Sequence, residues 1–462
     1  MAIRSDIAIV GAGPGGYVAA LRAAQLGASV VLVERDRIGG VCLNWGCIPT
    51  KTLLRTAEVL NLAREAAQYG VVVAEPRLDW AAAQKRKDGV VRRLTGGVKS
   101  LLDRAKVQTL SGTARFVSPL ALEVTGASGT EHVEATHVVL ATGSRPASLP
   151  IPGLDGPDVL TSDGALALEA LPGSLLIIGA GPIGVEFATL FNACGVQVTL
   201  VEVLPRVLPT LDADMGAEVE RALKKARVKV YTGSKVTRVE GRNRKRAVTI
   251  VSADQEIVVE VDKVLVAVGR RPNVEELALD NIGVTVEKPG IKVDEHLRTN
   301  VPNIYAVGDV IGGMLLAHVA MREGVVAVEN ALGHPRAMNL TAVPGCVFAW
   351  PEVATVGLTE EQAREKGYDV RIGKFPFRAN GKAMAQGEHD GLVKIVAEGK
   401  FGQILGVHIA GPHASDLIQE GTLALTLEAT LDELEEAIHP HPTLSEALAE
   451  AVLAAKGRAL HF

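Results

Sequence analysis

Residues Asp6–Glu34 read DIAIVGAGPGGYVAALRAAQLGASVVLVE. Asp6–Val10 has the length and apolar character of a buried parallel strand. Gly11, Gly13 and Gly16 follow as G-x-G-x-x-G, with Pro14 and Gly15 inside the motif. Tyr17–Leu26 reads as a helix that Gly27 ends, and Val30–Glu34 as a second strand with an acid at its last position. The glycines allow a tight turn, close approach of backbone to a pyrophosphate, and close packing of helix on sheet. Free N–H groups at the helix start suit phosphate oxygens, and Glu34 suits ribose hydroxyls.

The unit recurs. A constant offset of 168 residues carries Gly11 to Gly179, Gly27 to Gly195 and Glu34 to Glu202. Leu175–Ile178 is the second strand, and Gly179, Gly181 and Gly184 repeat the glycines, with Ile183 among them. Ala141–Pro146 (ATGSRP) and Ala267–Pro272 (AVGRRP) each close a strand with Gly-x-Arg-Pro. Two dinucleotide sites in one chain suggest two dinucleotides that exchange electrons. One working site beside a vestigial copy is the alternative; the intact glycines and acid of both copies argue against it. A carboxylate at Glu202 favours a free 2′-hydroxyl, hence NAD over NADP. Arg206 reads as a solvated surface arginine.

The totals narrow the function classes. The 462 residues suggest about three domains. A net charge of -5 argues against nucleic acid and gives no basic face for a membrane. No apolar run reaches the roughly 18 residues of a spanning helix. The first strand begins almost at once, which leaves no room for a signal or transit peptide. Four cysteines make no disulfide scaffold, so the expected location is cytoplasmic, a reducing compartment where a close pair is catalytic or metal-binding.

Between the repeats, Leu78–Ala105 reads as a long charged helix interrupted by glycines. Thr109–Phe116 reads as one short strand, and Leu149–Gly156 as a linker. Val261–Gly269 closes the second unit. Asn303–Val310 (NIYAVGDV) reads as a strand ending in Gly308-Asp309, where an acid at a strand's C-terminal edge can face a ligand. From about Val343 the pattern becomes strands at Val347–Val356, Val370–Phe375, Leu392–Ala397 and Ile404–Ile409, with helices, one opened by a capping box at Thr359–Gln362. The fold class is α/β: two Rossmann-like dinucleotide-binding domains plus a C-terminal α+β domain.

Gly39–Lys51 reads GGVCLNWGCIPTK. Cys42-x₄-Cys47 lacks the zinc spacing C-x₂-C, and Cys194 and Cys346 stand apart, so no metal site is expected. Pro49 suits the first turn of a helix running toward Leu60, which puts Cys47 near a helix N-terminus, where a thiolate is stabilised. Lys51, one turn on, can support that charge or a negatively charged flavin, and reads equally as a solvated helix lysine. At the other end is HPHPTLSEALAEAV, from His439. Dithiol chemistry needs a base, and a histidine oriented by a carboxylate supplies one. His441 with Glu446 fits. So does His439, and Thr443-Leu444-Ser445-Glu446 is itself a capping box, which would make Glu446 a helix cap.

These stretches together resemble the FAD-dependent pyridine nucleotide–disulfide oxidoreductases over nearly the whole chain. Both ends lean toward the branch that oxidises dihydrolipoamide rather than toward the glutathione and mercuric reductases. The resemblance implies oxidation of protein-bound dihydrolipoamide to lipoamide through a redox disulfide and FAD, with NAD reduced. The implied partners are a second copy of the chain and a lipoyl-bearing protein of a 2-oxo acid dehydrogenase or glycine cleavage complex.

It implies residues 1–148 as the first part of the FAD-binding domain, 149–272 as the NAD-binding domain, 273–342 as the second part of the FAD-binding domain, and 343–462 as the dimerisation domain. Gly11–Gly16, Glu34, Lys51, Ala114, Gly143, Ser144, Asp309 and the backbone near Ala317 would contact FAD. Gly179–Gly184, Glu186, Glu202, Val236 and Gly269 would serve NAD. Cys42 would be the interchange thiol and Cys47 the charge-transfer thiol. His441, with Glu446, would act on the partner subunit's disulfide. Thr50 stands where serine is commoner, and no cysteine follows Cys346. Another NAD(P)H-dependent disulfide reductase and a non-catalytic flavoprotein subunit are the competing readings.

Overall fold

The computed structural model describes residues 2–243 and 245–462; Met1, where the expected FAD-binding domain begins, and Arg244 lie outside the described residues. The chain forms two compact units. One comprises Met1–Leu53, Asp79–Ala147 and Gly269–Asn339; the other comprises Leu54–Leu78, Ser148–Val268 and Leu340–Phe462.

In the first unit, Ile3–Val10 runs parallel to Val30–Glu34 on one side and to Gly129–Leu140 on the other, with Ile9 opposite both Leu32 and Val139. Gln108–Ser111 extends the sheet beside Val30–Glu34, and Ile304–Ala306 joins it beside Gly129–Leu140. Thr113–Ser118 and Ala121–Gly126 complete it as antiparallel strands. Alternate strand residues enter different cores: Ile7, Ile9 and Leu32 on one face, Ala8, Val10, Val31 and Val33 on the other. The first face packs against the Pro14–Gln25 helix, whose Ala19, Ala20 and Ala23 are buried, and against the Ala317–Ala331 helix.

Several elements differ from expectation. Leu78–Ala105 is one uninterrupted helix, Trp80–Arg104, with Asp79 accepting the Ala82 N–H at 2.9 Å. Thr109–Phe116 divides at Gly112 into Gln108–Ser111 and Thr113–Ser118, and a Cβ at Gly112 would come 2.7 Å from the Thr125 carbonyl oxygen. Asn303–Val310 is strand only over Ile304–Ala306, followed by a 3₁₀ turn at Gly308–Ile311. The two Gly-x-Arg-Pro echoes pair with each other: Ser144–Pro146 lies antiparallel to Arg270–Pro272.

The second unit holds a parallel sheet in the order Lys229–Tyr231, Gln197–Val201, Ser174–Ile178, Lys263–Val266, Val159–Leu160. A three-stranded antiparallel sheet, Ser234–Arg242, Lys245–Ser252 and Gln255–Val261, accompanies it. Its C-terminal part is a five-stranded antiparallel sheet covered by the Ala414–Thr426 and Glu446–Ala455 helices. Val347–Val356 is two strands of that sheet rather than one: Gly345–Val347 turns back through Pro351 into Glu352–Gly357. Proline lacks the N–H that a continuous central strand would donate. The Thr359–Gln362 capping box is present.

Candidate functional site

The first glycine loop owes its shape to close contacts. Gly11 has φ +104°, and a Cβ there would meet the Ala141 carbonyl oxygen at 2.3 Å; one at Gly16 would meet the Gly11 oxygen at 1.8 Å. A Cβ at Gly13, by contrast, would find no described atom within 4 Å. The loop is thus closed toward the sheet and open on the Gly13 side, and Gly13, at the cap position of the Pro14–Gln25 helix, gives no side-chain cap. These first-turn N–H groups form a cradle that fits the pyrophosphate of a dinucleotide. Glu34 accepts the Ala12 N–H at 2.7 Å and the Asp36 N–H at 2.9 Å, which fixes its carboxylate at the strand end.

Gly40 ties this loop to the cysteines. A Cβ on it would lie 2.7 Å from the Gly13 Cα. Gly40–Trp45 forms a short helix, Gly46 breaks it, and Cys47 begins the helix Cys47–Glu65. The Gly46 carbonyl accepts from the Thr50 N–H at 3.2 Å and from the Thr50 hydroxyl at 2.6 Å, a task any hydroxyl residue there can perform. Cys42 and Cys47 are half-buried, not joined in a disulfide, and in hydrogen-bond contact with each other. The hydrogen bond to Cys47, burial and the Cys47 charge all push the Cys42 thiol up, with Lys51 opposing. Cys47 stands at the first position of its helix, where the N-terminal N–H groups favour negative charge.

Asp309 stands in the 3₁₀ turn after the Ile304–Ala306 strand, and the Ser144 hydroxyl donates to it. Arg270 donates to the Ser144 hydroxyl at 2.7 Å and to the Ser144 carbonyl at 2.8 Å, and its Nε lies 3.7 Å from Asp309. Arg270 belongs to this cluster and was not among the residues expected there. Arg270 fills the variable position of the second Gly-x-Arg-Pro, so the motif itself does not single it out. Gly143 has φ +67° and Gly269 φ +117°, and the Gly269 carbonyl accepts the Ala147 N–H at 3.0 Å. Ala114 is buried in the Thr113–Ser118 strand, and Ala317 opens the Ala317–Ala331 helix. The first unit so holds the Gly11–Gly16 loop against Gly40, at the start of the Cys42 helix, and a Ser144–Arg270–Asp309 cluster.

The second unit repeats the loop in atomic detail. A Cβ at Gly179, φ +101°, would meet the Ala267 oxygen at 2.5 Å, one at Gly184 the Gly179 oxygen at 1.9 Å, and one at Gly181 no described atom within 4 Å. Glu202 accepts the Ala180 N–H at 2.7 Å and the Leu204 N–H at 2.9 Å. Each hydrogen bond is the Glu34 set moved by the same 168 residues, so the residues fit a second dinucleotide. Arg206 is not a freely solvated arginine: both its terminal nitrogens lie 2.7 Å from the Glu361 carboxylate. Glu186 is buried and accepts the Phe348 N–H at 3.0 Å; Ile183 is half-buried and Val236 buried.

At the C-terminus, His441 Nδ1 lies 2.8 Å from Glu446 Oε1, and the Thr443 N–H donates to Glu446 Oε2 at 2.8 Å. The helix starts at Glu446 with Ser445 at its cap position, and the Thr443 hydroxyl accepts no N–H from it among the described residues, so only the Glu446 half of the expected capping box exists. Burial raises the Glu446 carboxyl, but the Thr443 N–H and the His441 ring outweigh it and hold Glu446 below the usual carboxylate range. The His441 side chain is 80% exposed, and its Nε2 has no partner in the chain among the described residues. His439 differs: its side chain is 9% exposed, with Nε2 2.8 Å from Glu420 and Nδ1 3.0 Å from the Ala437 oxygen. Both its nitrogens are engaged, whereas His441 has a partner at Nδ1 alone among the described residues.

A cysteine pair at a helix start, two dinucleotide loops and an outward histidine–carboxylate pair define a disulfide oxidoreductase. The family model described as pyridine nucleotide-disulphide oxidoreductase matches residues 5–324, and that of its dimerisation domain matches residues 343–452. The chain belongs to this family. Within it, a dihydrolipoyl dehydrogenase of Bacillus subtilis is 46% identical with the whole of both chains covered. One of Thermus scotoductus is 46% identical over 99% of this chain and 98% of its own. Among solved structures, LpdA from Mycobacterium tuberculosis superimposes with a TM-score of 0.89 at 29% identity, covering 97% of this chain and 99% of that one. The HOCl-induced flavoprotein disulfide reductase RclA from Escherichia coli, in its Cu(II) complex, gives 0.88 at 29% identity, with the same coverage of both chains.

Proposed function

We propose that the chain oxidises dihydrolipoamide to lipoamide and reduces NAD, with FAD as its resident cofactor. The observation that carries this is the Cys42–Cys47 contact at the start of the Cys47–Glu65 helix, beside a glycine loop shaped for a dinucleotide. Gly11, Gly13, Pro14, Gly15, Gly16 and Glu34 hold the ADP part of FAD, and Lys51, Ala114, Gly143, Ser144, Asp309 and Ala317 hold the rest. Gly179, Gly181, Ile183, Gly184, Glu186, Glu202, Val236 and Gly269 serve NAD. Bound FAD supplies the two-electron relay between the cysteine pair and NAD.

In the oxidised enzyme Cys42 and Cys47 share a disulfide. His441 Nε2 takes the proton of one substrate thiol while Glu446 holds Nδ1–H and steadies the imidazolium. The substrate thiolate attacks the Cys42 sulfur, the Cys42–Cys47 bond breaks, and Cys47 leaves as a thiolate, stabilised by the helix N-terminus. The second substrate sulfur then displaces Cys42 from the mixed disulfide. Lipoamide departs, Cys42 takes up the proton of that second thiol, and His441 keeps the first for release to solvent. Two electrons have passed from substrate to the cysteine pair.

The outward Nε2 of His441 supports action on the disulfide of a second copy of the chain, and the match to the dimerisation domain supports the homodimer. The physiological partner we infer is a lipoyl-bearing protein of a 2-oxo acid dehydrogenase or glycine cleavage complex. No helix among the described residues is long and apolar enough to cross a membrane. A cysteine pair that must cycle through its thiol form supports a cytoplasmic location. Steady-state turnover of dihydrolipoamide with NAD and with NADP tests the reading: NAD reduction with NADP disfavoured is expected. Turnover of glutathione but not of dihydrolipoamide would assign the chain to another disulfide reductase.

A further inference from the structure

Glu323 is a buried carboxyl that the disulfide chemistry leaves unused. It lies on the Ala317–Ala331 helix, 5% exposed, and its Oε2 accepts the Gly308 N–H at 2.6 Å. Gly308 has φ +73°, and a Cβ on it would stand 3.2 Å from the Ala320 Cβ. The glycine is thus seated against Ala320 and Glu323, neighbours on one face of the helix. That helix has little room to shift. A Cβ at Gly324 would come 2.3 Å from the Gly15 carbonyl oxygen, and Arg22 of the Pro14–Gln25 helix pairs with Glu329 at 2.7 Å. Glycine visits many backbone conformations, so an isolated Gly308 would leave the direction of the next residue open. That next residue is Asp309, the carboxylate that Ser144 and Arg270 approach. Burial raises the Glu323 carboxyl, the Gly308 N–H opposes this, and the Asp309 charge adds to the rise.

We propose that Glu323 is a positioning residue of the flavin site: through the Gly308 N–H it holds the left-handed turn that aims Asp309. This rests on the flavin reading above. Glu323→Gln keeps an acceptor of the same reach without the charge, while Glu323→Asp keeps the charge one methylene short of Gly308.

The test reconstitutes apoprotein with FAD and reads the dissociation constant by fluorescence quenching and the flavin environment by visible circular dichroism. E323Q is expected within about threefold of wild type with an unchanged spectrum. E323D is expected to bind about tenfold or more weakly, the scale of a lost charged hydrogen bond, with an altered spectrum. Because Glu323 acts through Asp309, E323D/D309N should bind no worse than D309N alone. Wild-type affinity and spectrum in E323D, equal loss in E323Q and E323D, or full additivity with D309N would each overturn the assignment alone. A wild-type chain that takes up no FAD would overturn the flavin reading and the assignment together.

Discussion

His441 Nδ1 lies 2.8 Å from Glu446 Oε1, while the second oxygen of Glu446 is taken by the Thr443 N–H. Glu446 therefore orients the ring and braces the loop that carries it. With Nδ1–H committed to a carboxylate, the basic lone pair falls on Nε2, on a side chain that is largely exposed. His441→Gln should retain flavin and lower the dihydrolipoamide rate about 10²–10⁴-fold, the usual worth of a positioned base. Glu446→Gln should cost less, about ten- to a hundredfold. Initial rates of NAD reduction check both.

His439 should behave as a structural residue. The Glu420 hydrogen bond raises its pKa, against the effect of burial. A raised folded-state value means the pair stabilises fully below the unfolded pKa near about 6.5 and loses that contribution as pH rises through the folded value. His439→Gln should leave turnover nearly intact. Its melting temperature should fall furthest below wild type in mild acid, and the gap should close as pH rises. Melting curves from pH 5 to 9 read the difference.

Much of this site was legible because the residues act locally. The glycines of both loops and the terminal acids Glu34 and Glu202 have tasks set within one βαβ unit, and the same hydrogen bonds recur in both copies. Arg270 was not legible, because its role depends on pairing Arg270–Pro272 with Ser144–Pro146, a contact between distant segments. Glu323 escaped for a related reason: nothing in a helix sequence says which acid meets a turn packed on it. The glycines at 89, 96 and 97 suggested interruption, yet Trp80–Arg104 runs through them. Each glycine costs about 1 kcal/mol, which burial of Trp80, Val98 and Leu102 offsets. The capping-box pattern at Thr443–Glu446 is met only in part, since the helix starts at Glu446 with Ser445 rather than Thr443 at its cap position.

Cofactor choice should follow Glu202 and the pinned arginine. Glu202→Ala removes the proposed ribose acceptor and should weaken NAD use about ten- to a hundredfold. Adding Glu361→Ala releases Arg206, which now lies 2.7 Å from that carboxylate, to meet a 2′-phosphate. The double variant should gain NADP turnover that neither single variant shows. Measurements of kcat/KM for both cofactors decide.

Lys394 is 2% exposed and lies 2.9 Å from Asp212, 2.6 Å from Asp214 and 2.9 Å from Glu360. Burial would lower its pKa, but the three carboxylates hold it above the usual lysine range. Lys394→Met leaves Asp212 buried without its cation and should cost ~3–5 kcal/mol in urea unfolding. Burial raises Asp214 and Glu360, but Lys394 with Lys374 and Arg364 outweighs it, so both titrate below the usual range. A depressed carboxyl stabilises above its unfolded pKa near about 4 and loses that contribution as pH falls through the folded value. The variant should therefore show a flatter loss of stability in acid than the wild type.

In the proposed reaction, electrons from dihydrolipoamide enter through the Cys42–Cys47 pair, with Cys47 as the flavin-side sulfur. Steady-state NAD reduction by dihydrolipoamide, with flavin content measured on the same samples, tests it most directly in wild type and Cys47→Ser. The expected result is robust turnover in wild type, and a variant that keeps its FAD while turnover falls at least about 10³-fold, the scale of removing an essential nucleophile. Wild-type turnover in a fully flavinated Cys47→Ser enzyme would contradict the account.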